Sequence, residues 1–189
     1  MIVLGNGESR KNIDISKLSG TKIGCNAIHR DFHVDHLVCI DQRTLKESLS
    51  ANLKSTTIWT RPEYVTSACV KVPDVPQGNQ RADQPKHWGS GPYAVLIASQ
   101  MDKEIHMIGF DLYSSTGVVN NVYKGTYGYS DSSSHAIDPR YWIYQISRIF
   151  LDNPDKYFVV YNNPHWVLPE SWCLANVKFK TLDNLESLS

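Results

Sequence analysis

No apolar run in this sequence approaches the ~18 residues that a spanning helix needs, so no transmembrane segment is expected. Neither sign of charge is in excess: Lys plus Arg and Asp plus Glu each total 19, for a formal net charge of zero. That balance argues against a sequence-blind grip on polyanions, so neither a nucleic acid nor an anionic membrane surface is an expected partner. Cysteine is scarce. Cys25, Cys39, Cys69 and Cys173 form no Cys-x-x-Cys or other close pair, which removes the common zinc and redox spacings. Cys25 and Cys39 lie in apolar runs, as small core residues would, and a reduced, cytoplasmic setting is the simplest expectation. The first apolar run is short and lacks a basic leader, so it does not read as a signal peptide. There is also no Walker sequence, no Gly-x-Ser-x-Gly elbow, no repeat and no heptad, which sets aside P-loop and serine-hydrolase chemistry.

What is present is ordinary globular usage, 41% hydrophobic and 20% charged, in 189 residues that fit one domain spanning 1–189. Short apolar runs recur at Ile2–Leu4, Thr21–Cys25, His36–Ile40, Thr56–Thr60, Ile105–Gly109 and Tyr157–Tyr161. Near-continuous apolar strands of this kind belong to a parallel sheet covered on both faces. Gly91–Met101 and Pro139–Asp152 have helical composition or spacing between them. Asp138-Pro139 is a helix start and Asn153-Pro154 a stop. The expected fold is therefore α/β, a mostly parallel sheet with helices on both faces. Two loop-like stretches interrupt it, near 70–88 and 114–134; the second, with Tyr123, Tyr127 and Tyr129, reads as a lid.

Chemistry-bearing residues follow the strand ends. Gly5-Asn6-Gly7 breaks the first strand and is followed by Ser9, a turn through which backbone N–H groups can approach an anionic ligand. Asn26 and Asp41 follow the second and third strands, where they would read ribose or base groups, or merely cap the next helix. Gly89-Ser90-Gly91 opens an apolar helix and offers either an anion cradle or a plain hinge and cap. Asp111 and Tyr113 leave the strand at Ile105–Gly109, and alternation in an extended segment would turn both toward one cleft. His135, between the tyrosine-rich loop and a capped helix, is a candidate proton acceptor. His29, His33 and His36 read as polar residues in a strand connection rather than a metal site, and Trp142, Trp166 and Trp172 as core.

Together these residues resemble the small bacterial sialyltransferases that use CMP-sialic acid, and the wider set of sialyltransferase-like, Rossmann-like domains. Gly5-Asn-Gly-Glu-Ser9, Asn12-Ile-Asp-Ile-Ser-Lys-Leu18 and Gly24-Cys-Asn26 follow that family's opening in order and spacing. Ser90-Gly-Pro-Tyr-Ala-Val-Leu-Ile-Ala98, Ile108-Gly-Phe-Asp-Leu-Tyr113, Ser134-His135 and Asn163-Pro164 follow its later blocks. The resemblance implies that Asn6, Gly7, Ser9 and Asn26 hold the nucleotide, with Ser90 and Gly91 in the nucleotide-sugar site. It implies that Tyr113 hydrogen-bonds the departing phosphate and that His135 deprotonates an acceptor hydroxyl of unknown identity. It implies a metal-independent glycosyltransferase with a CMP-linked sugar as substrate and no cofactor. The chain departs from the family at Glu8, where Pro is usual, at Asp41, where Asn is usual, and at His87, where an Arg precedes the Ser-Gly turn; Lys86 or Arg81 would have to substitute. The rival readings are a Mg²⁺-dependent phosphoryl or pyrophosphoryl transferase on a nucleotide- or pterin-like substrate, with Asp41 and Asp111 as ligands, and a non-catalytic nucleotide-binding domain. Exposed aromatics of the second loop would be covered in a homo-oligomer.

Overall fold

The computed structural model describes residues 1–75 and 88–188. The first apolar run forms β1 (Ile2–Leu4), and all three of its residues are buried. It pairs in parallel with β2 (Lys22–Cys25) on one side and β6 (Glu104–Ile108) on the other, with Val3 opposite both Ile23 and Met107. Outward from β2 lie β3 (His36–Val38), β4 (Thr57–Thr60) and β5 (Val70–Lys71); outward from β6 lie β7 (Tyr157–Asn162) and β8 (Val177–Thr181). The order is β5-β4-β3-β2-β1-β6-β7-β8, and every neighbouring pair is parallel. All six expected strands form, each with ends within two residues of the expected ones. Both strands not expected, β5 and β8, are edges; β5 begins the stretch read as a loop near 70–88. Residues 76–87 of that stretch, with Arg81, Lys86 and His87, lie outside the described residues.

Three α-helices are described: α1 (Gln42–Ser50), α2 (Ser90–Met101) and α3 (Arg140–Asp152). Pro92 sits in the first turn of α2, where a missing N–H is tolerated, and an Ala/Val/Leu/Ile run follows it. Ser90 and Pro92 to Ser99 are all buried, because α2 is apolar on every side and lies between the sheet and α3. α3 is amphipathic and buries Ile146, Ile149 and Phe150. Its start is held as expected by Asp138, whose Oδ1 accepts from Arg140 N–H (2.9 Å), and Asn153 caps its end through Ile149 (2.8 Å).

The connections β1 to β4 cover one face of the sheet, where Ile15, Leu18, Ile28 and Leu45 pack on Ile2, Leu4, Leu37 and Ile58. Connections from β5 to β8 cover the other, where α2, α3 and Trp172 pack on Val3, Ile23, Met107 and Val160. The sheet is thus doubly wound, an α/β Rossmann-like arrangement, and the winding reverses between β1 and β6. In such sheets a crevice opens at that reversal, beyond the carboxyl ends of the strands.

Candidate functional site

A cavity of about 740 Å³ lies there, spanning the carboxyl ends of β4, β3, β2, β1 and β6 and roofed by the first turns of α2 and α3. Its wall includes eight of the expected residues: Gly5, Asn6, Gly7, Asn26, Asp41, Ser90, Gly91 and Asp111. Trp142, expected in the core, is instead on this wall beside Tyr141, whereas Trp172 is fully buried as expected.

The glycines of the opening turn are explained by the neighbouring strand end. Gly5 N–H donates to Ile108 (2.8 Å) and Gly7 N–H to Gly109 (2.9 Å), so the two loops continue the sheet's pairing past its edge. A Cβ on Gly5 would fall on the Gly109 carbonyl, and one on Gly7 on the Asp111 carboxyl. Ser9 donates its N–H to one Asp111 oxygen (2.8 Å) and its hydroxyl to the other. The short 3-10 turn Glu8–Arg10 therefore already carries an anion, the buried carboxylate of Asp111. Ser9 is absent from the cavity wall. Asn6 is engaged too: its amide donates to Cys25 (3.1 Å) and Tyr129 (3.3 Å) and accepts from Arg10 (3.0 Å). Arg10, only 3% exposed, also donates to the Gly5 carbonyl (2.7 Å) and the Tyr123 hydroxyl (3.1 Å). It buttresses the loop from beneath. Its helix-compatible polar surroundings in the sequence gave no signal for that.

Beyond β2 the wall is less saturated. Asn26 has φ +51°, and its Oδ1 accepts from Ser90 Oγ (2.8 Å), which itself accepts from Ile40 N–H (3.3 Å). This knot fastens the start of α2 to the ends of β2 and β3. No partner holds the Asn26 Nδ2 or the exposed Asp41 carboxylate among the described residues, and both residues face the cavity. Asp41 occupies the N-cap position of α1 without capping it through its side chain. Arg61, the first residue past β4, is also on the wall. It was overlooked, although the strand-end rule that selects Asn26 and Asp41 selects it equally.

Besides Ser9, two further expected residues stand apart from the wall, Tyr113 and His135. Leu112 adopts φ +61° and Tyr113 N–H bonds back to Asp111 (2.6 Å), a three-residue turn that breaks the extended alternation. Asp111 turns inward; Tyr113 turns to the surface, its ring 6.4 Å from that of Trp166. His135 is exposed, bridged to Val118, and precedes the cavity-lining Ile137 by two residues. The loop-like stretch 114–134 is strapped across β1 and β2: Val122 N–H donates to Asn6 (2.9 Å), and the Tyr129 hydroxyl accepts from Ala27 N–H (3.3 Å). Tyr123 donates to Asp31 (2.7 Å), and burial together with that carboxylate pushes its hydroxyl up to about 12. The strap also adds Asn120 and Asn121 to the wall. Of the histidine triplet, His29 contacts the Asn26 carbonyl (2.9 Å) and His36 the Trp59 indole (3.3 Å), and among the described residues no group of three His, Cys, Asp or Glu gathers as a metal site. Compared with known proteins, the chain matches no protein-family model, no curated protein and no solved structure.

Proposed function

We propose that this chain binds a nucleotide-sugar, CMP-linked by its sequence resemblance, in the cavity at the β1/β6 reversal and transfers the sugar to a hydroxyl acceptor. The observation that carries the reading is the gathering of Asn26, Asp41, Ser90 and Gly91 on one wall with Trp88 and Trp142. A cavity of about 740 Å³ has the size of small-ligand sites, and aromatic surfaces with a few placed polar groups are what such ligands need. The free Asp41 carboxylate suits sugar hydroxyls, because it accepts hydrogen bonds and repels a second anion. In the transfer, the acceptor oxygen bonds to the anomeric carbon and gives its proton to a base, while the bond from that carbon to the phosphate oxygen breaks and the phosphate leaves with the electron pair. His135, exposed at the rim two residues from Ile137, is the base in this reading, and Tyr113 the phosphate's hydrogen-bond donor.

The position of His135 and Tyr113 off the wall favours one second reading, a domain that binds the nucleotide without turnover. The magnesium-dependent rival is less favoured, because both Asp111 oxygens are already held by Ser9. Calorimetric titration with CMP, UMP and ATP, each with and without Mg²⁺, tests the first step. Absence of binding below millimolar concentration rejects the nucleotide reading. Sugar transfer that survives His135→Ala removes that residue from its role, and binding without any transfer promotes the second reading.

A further inference from the structure

Besides Asn26, the cavity-lining residues Arg61, Trp88, Ser90 and Gly91 carry four further hydrogen-bond donors with no acceptor among the described residues. Two are side-chain groups with buried atoms, Arg61 Nε and the indole Nε1 of Trp88, a residue only 2% exposed. The others are the N–H groups of Ser90 and Gly91, which open α2 and take part in no other backbone bond. Unmade buried hydrogen bonds, as at Arg61 and Trp88, are uncommon, and a water, an ion or a bound ligand can supply the missing acceptor. Tyr93 ties the donors to one region. It lies in the first turn of α2, its ring is 6.2 Å from that of Trp88, and its hydroxyl, raised chiefly by burial, feels a Trp88 backbone hydrogen bond and the charges of Asp74, Glu63 and Arg61.

Arg61 is also the sole lysine, arginine or histidine among the described residues of the wall. It stacks over Tyr64, 4.6 Å from the ring centroid, and donates to the Tyr64 hydroxyl (2.6 Å), which fixes the guanidinium while leaving Nε unused. The acids of the wall do not neutralise it. Asp111 is held by Ser9, Asp138 by Arg140, Glu63 has a partner, and no ion pair joins Arg61 to Asp41.

We infer that Arg61, Trp88 and the first turn of α2 form the oxyanion end of the cavity and receive the phosphate of the bound nucleotide. The inference rests on the nucleotide reading above but moves the phosphate away from Tyr113, which stands off the wall beyond β6, to Arg61 beyond β4. A helix N-terminus and a fixed guanidinium are complementary to phosphate oxygens, and each charge-assisted bond is stronger than a neutral one. Asp41, one strand nearer the centre, repels the same group. Charge therefore orients the ligand, phosphate toward β4 and α2, hydroxyls toward β3.

Calorimetric titration of cytidine, CMP and inorganic pyrophosphate against the wild type, Arg61→Gln and Trp88→Phe tests it, with thermal unfolding to verify that each variant folds. CMP should bind the wild type about tenfold or more tighter than cytidine. Arg61→Gln should bring that ratio near unity without weakening cytidine, and Trp88→Phe, which keeps a ring but loses the N–H, should weaken CMP by a smaller factor. Undiminished CMP binding by Arg61→Gln overturns the inference. Equal wild-type affinities for cytidine and CMP overturn it while leaving a nucleoside site intact. Pyrophosphate binding that Arg61→Gln abolishes, with no binding of CMP, supports the oxyanion end and rejects the cytidine nucleotide. Silence from all three ligands rejects both.

Discussion

Gly5 and Gly109 meet where β1 and β6 leave the sheet, and the backbone of each stands where the other's side chain would go. Gly109 also has φ +75°, which L side chains rarely adopt. Gly5→Ala must push the Gly109 carbonyl aside, an overpacking that costs about 1–3 kcal/mol. Gly91→Ala meets only the Phe110 ring at 3.3 Å and gains helix propensity, so it should stay within about 1 kcal/mol of the wild type. Urea unfolding of the two variants distinguishes a glycine required by packing from one that is not; equal stabilities would refute the distinction. The thiols separate in the same way. Burial pushes Cys25 and Cys39 up to about 12, whereas Cys173 is exposed. A thiol reagent at pH 8 should label Cys173 first and reach Cys25 and Cys39 only on unfolding, as peptide mapping would record.

Among the elements, the strap over 114–134 is held in part by an ion pair outside it. Arg30 holds both Glu47 oxygens (2.6 and 2.7 Å) and, with its remaining donors, Thr126 Oγ1 (2.7 Å) and the Tyr127 carbonyl (2.8 Å). Its hydrogen bonds keep the Glu47 carboxyl below the usual carboxylate range. A depressed folded pKa gives stability that is present above the unfolded value of about 4.3 and lost as pH falls through the folded value. Glu47→Gln should therefore cost about 1–2 kcal/mol at pH 7 and nothing once both states are protonated. Amide exchange in residues 124–129 should quicken in the same variant; unchanged exchange would mean the strap is held elsewhere. How much of this was legible follows element type. Strands buried on both faces announce themselves as apolar runs, which is why β1 and β7 were found. β8, Val-Lys-Phe-Lys-Thr at an edge, is half polar, and β5 is two residues long, so neither gave that signal. The candidate site was legible in polar residues soon after a strand, at Asn26 and Asp41, and the same signal stood unused at Arg61. It was lost where one backbone angle, at Leu112, reversed the expected direction of Tyr113. The bond between Ser9 and Asp111 joins residues 102 apart in sequence, beyond the reach of local pattern.

At the scale of the molecule, the cavity is a junction between the two windings of the sheet. Its walls come from the ends of β1 to β4, wound on one face, and from β6, α2 and α3, which belong to the other. Within the protein the halves are joined there by polar contacts from Ser90 to Asn26 and Ile40, from Gly5 and Gly7 to the β6 loop, from Ser9 to Asp111, and from the strap to Asn6 and Ala27. A ligand that touches Asn26 and Asp41 on one side and the α2 turn on the other adds contacts that the unfolded chain lacks. Ligand at a hundredfold excess over its Kd should raise stability by about 2.7 kcal/mol. For a chain of this length that corresponds to a Tm increase of about 5–10 °C. Differential scanning calorimetry over a CMP series reads it directly, and the increase should continue logarithmically with concentration. Ser90→Ala removes the hydroxyl joining the halves; it should lower Tm without ligand and leave a smaller increment with it, because Asn26 loses the contact that fixes its amide. An increment unchanged in Ser90→Ala would mean that the nucleotide does not bridge the two windings, and the site would have to be sought within one of them.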